Sequence, residues 1–261
     1  MRQRLFASLV AFLLVFQAGQ VAAKSQDVPI SELVPSSRQQ RTTMVINQAL
    51  ERFHYRKVSL NDDFAGQIFD NYIDALDPNR SFFLRRDIDR FKRGVRRLDD
   101  DLTRGKLDTA FEIFRLYRQR VDERVKYALS ALDSGFDFDR DESYLFDRSE
   151  ADWARSRADL DEIWRKRAKN DWLGLRLSKK DEAEIPDLLR KRYEGIARRV
   201  RQFDSDDVFQ AFVNAYTQSL EPHTSYMSPS TSENFDISMR LSLEGIGAVL
   251  RADTEYTVVQ R

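Results

Sequence analysis

The sequence predicts a mainly α fold, a multi-helix body that gives way near its end to the first strands of a β-rich module. Three observations carry this. Apolar residues recur at steps of three and four from about residue 38 to residue 220. Capping residues and glycine or proline stops fall between the periodic stretches. After Phe235 the pattern changes: Leu241, Leu243, then Ala248-Val249-Leu250 and Tyr256 to Val259 read as strand.

The first 23 residues are read as a leader. Arg2 and Arg4 precede an apolar run from Leu5 to Phe16, and Val21-Ala22-Ala23 fits a small-residue cleavage site. Export with cleavage after Ala23 is expected, and the run is short for a membrane span, which needs about 20 apolar residues. An uncleaved leader would instead make the protein a membrane-tethered component of the cell envelope. Residues 24–37 are polar, carry Pro29 and Pro35, and read as an arm.

The helical body is expected over residues 38–235. The first helix shows Val45, Ala49, Leu50 and Phe53 as its apolar face. The second follows Asn61 and Asp62, both good caps, and carries Phe64, Ile68, Phe69, Tyr72, Ile73 and Leu76. Asp77-Pro78 ends it, because the residue before proline avoids the helical region. One continuous third helix is expected through Ile88, Phe91, Val95, Leu98 and Leu102, with Gly105 as its stop. Asp108 is expected to cap a fourth, striped by Phe111, Phe114, Tyr117, Val121, Val125, Leu129 and Leu132. Ser134 to Ala151 breaks period and reads as a long loop pinned by Phe136, Phe138, Tyr144 and Phe146. Helices resume with Leu160, Ile163, Trp164 and Trp172, and Ser178-Lys179 reads as a helix-start cap. The next carries Leu189, Tyr193, Ile196, Ala197, Val200 and Phe203. After an Asp204-Ser205-Asp206 cap cluster the last carries Val208, Phe209, Phe212, Val213, Tyr216 and Leu220. Tyr226 to Arg240 reads as a linker rich in Ser and Pro, and residues 236–261 as the incomplete start of the β module.

One internal similarity runs at an offset of 144: Tyr72 with Tyr216, Leu76 with Leu220, Pro78 with Pro222, Ser81 with Ser225, and Phe91 with Phe235. Asp77 against Glu221 and Phe82 against Tyr226 are conservative partners. The pattern describes either a helix-to-loop exit used twice or a true internal duplication, and the first is the simpler reading.

Composition excludes several functions. The 43 basic residues, two of them in the leader, balance 43 acidic ones, which argues against general nucleic-acid binding. The arginine pairs 85–86, 96–97 and 198–199 are interleaved with acids and read as solvated helix faces. There is no cysteine, so neither disulfides nor thiol chemistry are available. The two histidines, His54 and His223, have no partner at metal-ligand spacing, and Glu221, two residues from His223, would point away from it on a helix. No metal site and no cofactor is expected. His223-Thr224-Ser225 lacks a nucleophile elbow and reads as a turn hydrogen-bonding its own backbone. A Gly-apolar-Gly turn leading into a strand, as at Gly245 to Leu250, can present successive backbone N–H groups to a peptide carboxylate and a strand edge to the peptide.

The segments L-E-P-H-T-S-Y-M-S-P (220–229) and S-L-E-G-I-G-A-V-L (242–250) resemble the entry to the PDZ domain of the carboxy-terminal processing, or tail-specific, serine proteases of the Gram-negative periplasm. His54-Tyr55, Asp77-Pro78, Ser143 to Trp153 and Ser205 to Phe209 extend the resemblance over most of the chain. It implies a periplasmic endopeptidase that recognises apolar C-terminal tails through its PDZ domain and cleaves with a Ser–Lys dyad. That dyad would lie downstream of Arg261, so no residue of this chain is catalytic. Gly245, Ile246, Gly247 and Ala248 match the family's carboxylate-binding loop, and Val249 and Leu250 would begin the tail-pairing strand. The implied partners are protein substrates with apolar tails and an adaptor protein, with no nucleic acid. Membrane contact would come only through the leader or peripherally. The competing reading is a non-catalytic helical adaptor or scaffold.

Overall fold

The computed structural model describes residues 27–240, 249–253 and 256–260. Residues 27–240 are mainly helical, in the order α1 (Ser37–Phe53), α2 (Asp62–Leu76), α3 (Arg85–Lys92), α4 (Leu98–Thr103), α5 (Asp108–Ser134), α6 (Arg157–Leu177), α7 (Ile185–Arg201), α8 (Ser205–Leu220) and α9 (Pro229–Arg240).

The core is built on the long α5, which packs against α6, α7 and α8, while α2 lies against α8. Aromatic rings fill it. Trp164, Tyr72, Tyr193, Phe83, Phe111, Phe114 and Phe212 are all fully buried. The α2–α8 seam is held edge to face, by Tyr72 on Phe212 at 5.3 Å and Phe64 on Tyr216 at 6.2 Å.

Helix starts follow their caps. Ser36, Ser156 and Asp204 each close a capping box, and Asn61 accepts from Phe64 N–H at 3.0 Å. Two expected caps differ. Asp108 is the first residue of α5 and makes no cap bond; the cap position is Leu107. Ser178 ends α6 instead of starting a helix, and Lys179 beyond it takes φ +60. Polar residues mark either end of a helix, so sequence alone did not separate the two roles.

The expected third helix is broken into α3, a 3₁₀ turn at Val95–Arg97, and α4. The turn tightens the path after Gly94 while keeping Ile88, Phe91, Val95, Leu98 and Leu102 buried. Gly105 then takes φ +70 against the Gln40 carbonyl of α1, a place where a Cβ would collide with backbone.

α1 presents a different face from the one expected. Val45 and Phe53 are 63% and 82% exposed, whereas Gln39 and Thr43 are buried and Ile46 and Leu50 partly so. Polar bonds set this rotation. The Gln39 amide donates to Ser205 Oγ at 3.1 Å and Asp206 Oδ1 at 2.6 Å at the start of α8. The linker expected from Tyr226 to Arg240 is mostly helix, since α9 begins at Pro229 and Ser228 Oγ accepts from Thr231 N–H at its start.

The loop of residues 135–156 is irregular, as its lost period implies, and is firmly pinned. Phe136 and Phe138 pack on Trp172, and Glu142 pairs with Arg165 and with Lys169 at 2.7 Å. Leu145 and Phe146 are exposed, so Phe146 does not pin the loop as expected.

The described strands are β1 (Val249–Asp253) and β2 (Tyr256–Gln260). They form an antiparallel pair with Val249 opposite Gln260 and Leu250 opposite Val259.

Candidate functional site

Gly245, Ile246, Gly247 and Ala248, expected to bind a carboxylate, lie outside the described residues. Val249 and Leu250, expected to pair with a peptide tail, open β1 and pair with β2 along one edge. The other region singled out by sequence, residues 220–229, is described throughout, and it is where the chain leaves α8.

That exit is a polar latch at the edge of the body, with His223 exposed and Glu221 partly covered. Glu221 follows α8 in extended backbone (φ −165, ψ 133). This turns its carboxylate back over the next two residues, so it meets His223 after all: Glu221 Oε1 accepts from His223 N–H at 3.0 Å and bonds its Nδ1. The helical spacing rule does not apply beyond the helix end. The His223 hydrogen bond, more than any other contact, holds the Glu221 carboxyl below the usual carboxylate range. Thr224 Oγ1 donates to Glu221 Oε2 at 3.1 Å. His54, from the α1–α2 connection, reaches the same hydroxyl through Nε2 at 3.1 Å. The His223 and Thr224 side chains therefore bind a carboxylate and a second connection, and not the turn backbone expected of them.

Proton directions follow from these partners. The single Thr224 proton goes to the carboxylate, which can only accept, so His54 Nε2 must carry the proton it shares with Thr224. His54 Nδ1 lies within hydrogen-bond reach of both the N–H and the carbonyl oxygen of Arg56, at 3.1 and 3.0 Å. A threonine that donates to a carboxylate and accepts from histidine is not set up as a nucleophile beside a base. The latch is structural.

Two further bonds tie the exit down. The Arg56 guanidinium donates to the Leu220 carbonyl at 2.7 Å, satisfying an open carbonyl at the end of α8. Asn214 and Gln210, on α8 itself, accept from Tyr226 N–H at 2.7 Å and Ser228 N–H at 2.9 Å. Beside the latch lies an open groove of about 420 Å³, lined by Arg56, Lys57, Ser59, Asn61, Gln67 and Ser219 among others. That His54 meets Thr224 could not be read from the sequence, because the two are 170 residues apart.

Among the described residues no group of three or more His, Asp or Glu is arranged to hold a metal ion, and no helix is long and apolar enough to cross a membrane.

Residues 27–240 thus form a mainly helical domain whose chain leaves the last core helix through a braced exit. Sequence comparison makes this specific. The family described as "Tail specific protease N-terminal domain" matches residues 46–230, and the chain belongs to that family. The tail-specific protease of Haemophilus influenzae is 40% identical over 240 residues, which are 91% of this chain and 34% of the relative. The chain thus spans about a third of the length of that relative.

Proposed function

We propose that the chain is the N-terminal part of an exported serine endopeptidase that recognises apolar C-terminal protein tails. The family match over residues 46–230, joined to the likeness to a tail-specific protease, carries this reading. In it, β1 and β2 begin a PDZ domain. The backbone amides of Gly245, Ile246, Gly247 and Ala248 hold the tail carboxylate, and Val249 and Leu250 start the strand that the tail joins. Cleavage is by a Ser–Lys dyad outside residues 1–261, with the lysine as general base. The substrates are proteins with apolar tails, in the periplasm, and an adaptor protein is a further partner.

The test is cleavage of a poorly folded reporter with an apolar C-terminal tail. Two enzymes are compared, this chain and a form extended to the next in-frame stop. The reading expects activity only in the extended form, lost when the tail is made polar. Amidating the tail carboxylate should lower kcat/KM by about tenfold or more, the worth of hydrogen bonds to a charged group. Activity in neither form would replace the protease by a non-catalytic helical adaptor.

A further inference from the structure

The surface of α3 and the turn after it carries a charge pattern that the peptidase reading does not use. Residues 85–97 hold seven basic side chains and two acidic ones. One of the acids, Asp87, is buried against Arg120 and so is lost to the surface. The arrangement is as telling as the count. The backbone stays right-handed and helical from Arg85 through Arg93, Gly94 and the 3₁₀ turn to Leu98. Ile88, Phe91 and Val95 face the core. On the opposite side fall Arg86, Arg90, Arg93 and Arg97, at steps of four, three and four, all exposed. They make a crest roughly 16 Å long at 1.5 Å per residue.

These guanidinium groups are largely uncommitted. Arg90 has one long ion pair, to Glu112 at 3.8 Å. Among the described residues, those of Arg86, Arg93 and Arg97 have no ion pair or hydrogen bond. Other exposed arginines are unpaired among the described residues too, Arg41, Arg52 and Arg199 among them, but they are scattered singly, whereas these four share one line on one face.

We infer that this arginine crest docks the protein on an anionic phospholipid surface. Three features favour that partner. Guanidinium forks match phosphate oxygens and are weakly hydrated, so they suit repeated phosphate contacts. The four groups stand on one exposed helical ridge, which fits a broad plane of headgroups better than a peptide, whose recognition uses a groove or a strand edge. A protein partner of ordinary kind would meet an apolar centre in the patch, and no large exposed apolar residue lies between 85 and 97. The same absence makes the contact electrostatic and peripheral, without insertion into the acyl region.

The test is co-sedimentation of the whole chain with vesicles. One set is phosphatidylcholine alone; the other contains phosphatidylglycerol. The neutral set registers binding through the apolar run at Leu5 to Phe16, and any added pull of Arg2 and Arg4 on the anionic set is the same in every variant. The crest variant carries Arg86→Gln, Arg90→Gln, Arg93→Gln and Arg97→Gln. A control removes the same charge elsewhere, with Lys179→Gln, Lys180→Gln, Lys191→Gln and Arg199→Gln. The phosphatidylglycerol-dependent part of binding should fall by about tenfold or more in the crest variant, stay near wild type in the control, and weaken with salt. All the exchanged residues are exposed, and thermal unfolding by circular dichroism checks that each variant folds. Equal losses in both variants, or equal wild-type binding to both vesicle sets, would overturn the inference. So would capture by poly-glutamate that is as tight as by the vesicles and needs the same four arginines, since the partner would then be an acidic protein.

Discussion

The chain leaves α2 and α8 by related sequences, Asp77-Pro78 and Glu221-Pro222, and the two exits are built from opposite materials. At the first, Asp77 is fully buried and its carboxylate accepts from Ser81, Phe82 and Phe83 N–H at 2.8, 2.8 and 3.0 Å. Asp87 takes the next amide, Leu84 N–H, and is itself clamped by Arg120 through two bonds of 2.8 and 3.0 Å. Trp164 of α6 donates to the Ser81 carbonyl at 2.7 Å, and the loop at 135–156 covers the rest, with Arg80 donating to Ala151 O and Arg85 N–H to Ala154 O. At the second, the Glu221 carboxylate is only partly covered and is met by His223, itself exposed, and by Thr224, while His54 reaches Thr224 and the side chains of Asn214 and Gln210 hold the backbone beyond. The same outline therefore yields a lock inside the core in one place and a surface latch in the other. A buried bond is electrostatically strong and costly to leave unmade, whereas an exposed one competes with water at little cost. The difference teaches that the first exit belongs to the domain's stability and the second to its adjustable edge, where the chain goes on towards β1.

The largest expected effect comes from removing a charge at the first exit. Arg120→Met leaves Asp87 buried without its cation and should cost about 3–5 kcal/mol in urea unfolding. Asp77→Asn keeps the shape but halves the acceptor capacity beneath three amides. It should cost about 2 kcal/mol, and a change below the error of the fit would break the comparison. Burial, which acts more strongly than the three amide bonds, pushes the Asp77 carboxyl up from its ordinary range.

At the second exit Asn214→Ala should cost only about 1 kcal/mol globally. Its main effect should be faster hydrogen exchange at Tyr226. A global loss as large as that of Asp77→Asn would remove the contrast.

The smallest effect is a pH dependence on the cover of the first exit. Hydrogen bonds from Arg165 and then Lys169 hold the Glu142 carboxyl down at about 2. A folded value below the unfolded one gives stability that is present above the unfolded range, near 4.3, and is lost as pH falls towards 2. Glu142→Gln should flatten that part of the stability profile between those limits. An unchanged acid limb would assign the loss to other carboxylates.

Much of this fold was legible because apolar period survives burial. The faces of α2, α5 and α8 follow their stripes, as does that of α7 except for Phe203, which lies beyond its end and is exposed. α1 was misread because its orientation comes from Gln39 and Thr43, and a polar side chain announces no face until its partner on α8 is known. The break in α3–α4 was hidden because a 3₁₀ turn shifts the path while keeping the same apolar residues inside. Of the candidate site, the Ser-aromatic exits were visible as a repeat, but their opposite burial was not. Burial at Asp77 depends on Trp164 and Arg120, which come from helices far along the chain.

Native-state hydrogen exchange tests the central claim most directly. The amides of Ser81, Phe82 and Phe83 are compared with those of Tyr226 and Ser228. The first group should exchange only through global unfolding, with the full free energy of stability. The second should exchange through local opening at a free energy several kcal/mol lower, within the range seen for surface segments. Equal protection at the two exits would contradict the division into lock and latch.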